Sequence, residues 1–91
     1  MPAVKVRIEG RVQGVGFRAF VMRLARQYHL RGEVWNSTDG SVGAILQSEN
    51  GGNLDRALQL LKTGPGHVDK VETTPTELGD FEGFSVAHGR I

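Results

Sequence analysis

The residues whose types and spacing suit chemistry lie in one short run, Val12-Gln13-Gly14-Val15-Gly16-Phe17-Arg18. Two glycines in three residues demand unusual backbone angles or a close backbone approach. The hydrophobic period is two before this run and helical after it, so a strand ends, a turn follows and a helix begins. The first amides of a helix have no intrahelical partner. The turn aims further N–H groups into the same concavity, and the helix dipole adds positive partial charge. Arg18, in the first turn, adds a guanidinium fork matched to two phosphate oxygens. A cation at that pole is disfavoured unless an anion joins it. The expected chemistry is a phosphate cradle made by Gln13, Gly14, Val15, Gly16, Phe17 and Arg18. The Phe17 and Val15 side chains read as packing. Gln13 either lines the pocket or caps the loop.

Two better-known phosphate motifs do not fit. Gly14-Val15-Gly16-Phe17-Arg18-Ala19 matches the dinucleotide pattern in form. That fold needs several consecutive β-α units and a parallel sheet, for which the chain is too short. The Gly-Lys-Ser/Thr of a Walker loop is absent.

The elements that must carry the loop follow from periodicity. Val4, Val6 and Ile8 alternate with charged residues, which predicts a half-buried strand over Val4–Val12. Phe17, Phe20, Val21, Leu24, Ala25 and Tyr28 fall at helical spacing. This predicts an amphipathic helix of about three turns. Its charged residues read as a solvated face, and Gly32 as its stop. Glu33–Asn36 and Val42–Gln47 read as strands joined at Asp39-Gly40, a pair suited to the left-handed angles of a short hairpin. Asn53 reads as the cap of a second helix bearing Leu54, Ala57, Leu58 and Leu61. Val68–Thr74 is a further strand, and Phe81, Phe84 and Val86 form a short last strand or a packed tail. The order β-α-β-β-α-β predicts an α+β sandwich, two helices on one face of a mainly antiparallel sheet.

This order brings a second residue to the loop. A helix of roughly 12 residues descends about 18 Å at 1.5 Å per residue. The next strand climbs back at about 3.3 Å per residue. After about five residues it is level with the helix start, which places Asn36 near Arg18.

Gly10-Arg11-Val12-Gln13-Gly14-Val15-Gly16-Phe17-Arg18, followed by Gly32-x-Val34-x-Asn36-x-x-Asp39-Gly40-x-Val42, resembles the acylphosphatase family. Gly64-Pro65-Gly66-His67-Val68 resembles its third landmark, usually Gly-Pro-Pro. The resemblance covers essentially the whole chain. It implies a ferredoxin-like sandwich and hydrolysis of acyl phosphates to a carboxylate and phosphate. It also implies that Arg18 binds the phosphate and Asn36 positions the attacking water. Three positions depart from the family pattern. Glu33 replaces a frequent aromatic residue, Gly43 a frequent acidic one, and Gly66 the second proline. They bear on substrate preference and stability more than on the reaction. Trp35, just before Asn36, either shields the site or sits on the outer sheet face.

So small a set of residues is enough for this reaction. A carboxylate departs without a proton, so a general acid is dispensable. Phosphoryl transfer through a loose transition state needs positioning and donors aimed at the non-bridging oxygens. The Asn36 amide has both a donor and an acceptor and can orient a water. Phosphate esters, with alkoxide leaving groups, would need an acid or a metal. His29, His67 and His88 show no metal-ligand spacing. No cofactor is expected.

The bulk composition narrows the alternatives. The 91 residues suffice for one domain, 1–91. With 11 basic and 10 acidic residues, the chain lacks the basic excess of a nucleic-acid binder. There is no cysteine, so disulfides and thiolate metal sites are excluded. The N-terminus lacks the apolar run of a signal peptide, and no stretch approaches a membrane span. A cytoplasmic monomer acting on a small-molecule acyl phosphate is expected, without nucleic-acid or membrane partners. The competing reading keeps the anion site in a non-catalytic regulatory module, since such folds host many functions.

Overall fold

In the first strand, β1 (Ala3–Arg11), Val6 and Ile8 are buried on one side while Lys5, Arg7 and Glu9 point to the other. The computed structural model describes residues 2–88. Met1 and residues 89–91, the ends of the expected 1–91 domain, lie outside the described residues. After β1 come α1 (Phe17–Gln27), β2 (Arg31–Asn36), β3 (Val42–Gln47), α2 (Gly51–Leu60), β4 (His67–Pro75) and β5 (Phe84–Val86). A single 3₁₀ turn, Leu61–Thr63, ends α2.

The sheet order is β4-β1-β3-β2-β5. Only the β2–β5 pair is parallel; the others are antiparallel. Val6, Ile8, Val34, Val42, Ala44 and Leu46 form one core with Phe17, Val21, Leu24, Leu54 and Leu61. Both helices therefore cover the same sheet face. This is the ferredoxin-like α+β sandwich read from the sequence, with the last apolar run resolved as a fifth strand. No helix among the described residues is long and apolar enough to cross a membrane.

Local details correct three expectations. Helix α1 does not run on to a stop at Gly32. It closes on His29, which takes φ 56°. Leu30 N–H donates to Ala25 C=O and His29 N–H to Arg26 C=O, a Schellman closure without glycine. Gly32 instead lies inside β2, where a Cβ would collide with the Ile45 carbonyl oxygen. Asn53 is not the cap of α2. Asn50 is, with its side chain accepting from Asn53 N–H at 3.1 Å. In the β2–β3 turn only Gly40 has positive φ. Asp39 acts through its carboxylate, which accepts from Ser41 N–H and Ser41 Oγ–H.

Candidate active site

The loop between β1 and α1 is shaped by its glycines. Gly14 and Gly16 take φ 75° and 85°, angles that disfavour any side chain. Apart from the adjoining residues of the chain, no atom lies within 4 Å of where a Cβ would stand at either position. These glycines are needed for backbone path rather than for packing, and they leave bare main chain facing outward. The first helical hydrogen bond runs from Phe20 N–H to Gly16 C=O. The amides of Phe17, Arg18 and Ala19 precede it and have no helical carbonyl to donate to.

These groups open into a cavity of about 690 Å³. Gly14, Gly16, Phe17 and Arg18 line it from the loop, and Asn36 lines it from the end of β2. The structure thus brings Arg18 and Asn36 to one concavity, as the count of helix and strand rise predicts. Both are half-buried. Among the described residues Arg18 has no ion-pair partner, and the first turn of α1 holds no acid.

Two residues expected at the phosphate do not line this cavity. Gln13 Nε2 donates to Ser37 C=O at 2.7 Å and to Ser41 C=O at 2.8 Å. Its side chain is committed to the turn that follows Asn36, a partner in neither the pocket nor the glycine loop itself. Val15 is one-third exposed and turns toward Gly66. Phe17 is 1% exposed, so only its backbone is available to a ligand. Three further polar residues line the cavity, all of which read from the sequence as surface or packing residues: Arg23, Arg26 and His88. Helical spacing puts Ala19, Met22, Arg23 and Arg26 on one side of α1 with Arg18. That spacing was the signal; what faces this side was not visible in it.

The site is braced from behind. Gly64 packs on the Phe17 and Phe20 rings, which meet at 5.6 Å. Gly66 has φ 80° and sits against the Arg11 carbonyl, too close for a Cβ. Proline is locked near φ −65°, so the family's second proline cannot take this path. The β2–β3 turn is held on the opposite side of the sheet as well, by Arg7 Nη1 on Asp39 Oδ2 at 2.7 Å. Hydrogen bonds from Ser41 and Arg7 hold the Asp39 carboxyl well below the usual carboxylate range. Trp35 points to that outer face. It is buried, with its indole over Gly43, its cross-strand partner.

Comparison with known proteins gives the family. The acylphosphatase family model matches residues 4–86. The chain is 43% identical to the acylphosphatase of Leuconostoc mesenteroides, over 94% of this chain and 98% of that protein. It is 39% identical to that of Archaeoglobus fulgidus, over 97% of this chain and all of that one. The crystal structure of acylphosphatase from Bacillus subtilis superposes with a TM-score of 0.92 at 31% identity, covering 97% of this chain and 100% of the other. The expected enzyme class, hydrolysis of acyl phosphates, agrees with these relatives. On sequence, length and fold, the chain belongs to the acylphosphatase family.

Proposed function

We propose that the Gly14–Arg18 loop and the Arg18 guanidinium hold the phosphate of an acyl phosphate while Asn36 orients the water that attacks it. The observation that carries this reading is the convergence of Arg18 and Asn36 on one cavity at the N-terminus of α1. The free amides of Phe17, Arg18 and Ala19, the helix dipole and the guanidinium all favour negative charge there. Their donors match the charge spread over the non-bridging oxygens in the transition state.

The water oxygen bonds to phosphorus as the bond from phosphorus to the acyl oxygen breaks. The electron pair leaves with the carboxylate, which needs no proton. The water proton passes to a phosphate oxygen of the substrate. The Asn36 amide accepts from the water and fixes its line of attack without taking its proton. Residues 1–91 act in this reading as one metal-free domain, a cytoplasmic monomer with no nucleic-acid partner.

The deciding test is hydrolysis of benzoyl phosphate by the purified protein with chelator present, beside Arg18→Gln. Turnover that ignores the chelator and needs Arg18 is expected. Absence of turnover, with phosphate still protecting the fold against heat, would instead support the non-catalytic module.

A further inference from the structure

The cavity extends beyond the phosphate cradle, along α1. It is lined there by Arg23 and Arg26, together with the apolar Met22 and Val86. Helix α1, FRAFVMRLARQ, carries three arginines and no acid. Among the described residues none of the three arginines has an ion-pair partner. A merely solvated helix face mixes both signs, and this protein has 10 acidic residues to draw on. Arg26, in the last turn, is favoured by the helix dipole. Arg23, in the middle of the helix, has no such reason to be basic. Both line the same cavity as Arg18.

Resting on the reading of the cradle as the phosphate site, we infer that Arg23 and Arg26 form a second anion subsite, which selects acyl phosphates bearing another anionic group on the acyl side. At 1.5 Å per residue, Arg23 lies about 7.5 Å and Arg26 about 12 Å further along the axis than Arg18. That offset is spanned by a short acyl chain or an aromatic ring. Met22 and Val86 give its carbon skeleton apolar surface. A guanidinium receives a terminal carboxylate or phosphate through two parallel N–H donors. Arg23 and Arg26 are exposed, so the selectivity is moderate and weakens with salt.

The experiment separates this subsite from catalysis by reading binding. Two non-hydrolysable ligands are titrated calorimetrically, 4-carboxybenzoylphosphonate and its 4-carbamoyl analogue, which match in shape and differ in charge. Wild-type protein is expected to bind the carboxylate at least about fivefold tighter, a ratio that falls at high salt. Arg23→Gln/Arg26→Gln is expected to bring the ratio to about one and leave the carbamoyl affinity within about twofold. Arg56→Gln, an exposed change on α2, controls for net charge and is expected to leave the ratio unchanged. Equal affinities in the wild type, a preference that survives the double substitution, or binding of neither ligand would overturn the inference. Loss of the parent reading shows up separately, as failure to hydrolyse unsubstituted benzoyl phosphate.

Discussion

The indole of Trp35 lies over the bare Cα of Gly43, so close that a Cβ on residue 43 would stand 2.5–2.6 Å from three indole atoms. The two residues are register partners across β2 and β3. This accounts for one departure from the family pattern: an acidic side chain at 43 and a tryptophan at 35 do not fit together. Gly43→Ala is expected to cost about 1–3 kcal/mol in urea unfolding through overpacking. In a Trp35→Ala background the same change should be close to neutral. Additive effects in this double-mutant cycle would break the proposed coupling. Activity should change little, because Trp35 faces the opposite side of the sheet from Asn36.

Arg18 and Asn36 are expected to divide their labour. Arg18→Gln should abolish phosphate affinity and turnover together. Asn36→Ala should lower kcat by about 10²–10³ while largely keeping phosphate binding, the scale of losing one preorganised hydrogen-bonding group. Phosphate titration alongside kcat measurement distinguishes them. Equal loss of binding in both variants would refute the division, and retained turnover in Asn36→Ala would remove Asn36 from the mechanism.

Gln13 is expected to act on the water rather than on the phosphate. Its two hydrogen bonds hold Ser37 and Ser41, and Ser37 follows Asn36 directly. Gln13→Leu should cost about 1–3 kcal/mol, since two partly buried carbonyls lose their donor. It should lower kcat more than it weakens phosphate binding. A selective loss of phosphate affinity would return Gln13 to the cradle.

Asp39 gives the fold an acid-sensitive brace. Its folded-state pKa lies below the ordinary 3.8, owing to Ser41 and then Arg7. A depressed carboxyl stabilises the fold above its unfolded pKa, and that contribution fades as pH falls below about 4. Asp39→Asn should therefore lower Tm at pH 7. The difference from wild type should shrink progressively from about pH 4 downward. A gap that stays constant into acid would show that the carboxylate charge does not matter.

Gly66→Pro, which restores the family's usual residue, is expected to destabilise this chain by at least about 1–3 kcal/mol. The φ of 80° at this position is closed to proline. Thermal unfolding checks it; an unchanged or higher Tm would mean that the loop readily takes the family path.

Much of this was legible from spacing. The alternation of Val4, Val6 and Ile8 and the helical spacing of Phe17, Val21 and Leu24 describe side chains whose period is set by their own element. Asn36 was placed near Arg18 by counting rise, because one helix and one strand separate them. What escaped depends on partners distant in sequence. Glycine propensity pointed to Gly32 as the helix stop, yet the Ile45 carbonyl claims that glycine for the sheet and His29 takes the left-handed angle. Asn50 and Asn53 lie one helical turn apart with similar cap propensity, and the sequence does not say which stands first. The outward arc of α1 was read as solvated, because periodicity tells which residues share a side and not that Asn36 and Val86 wall a cavity beside it.

The cation at the positive pole of α1 has one more consequence. With no acid in the first turn, the empty protein holds Arg18 against the helix dipole, an arrangement that an anion relieves. Ligand-free Arg18→Gln should then be more stable than the parent protein and should no longer gain stability from phosphate. The residue that gives the site its grip would be a liability to the resting fold, a trade between endurance and activity concentrated in one side chain.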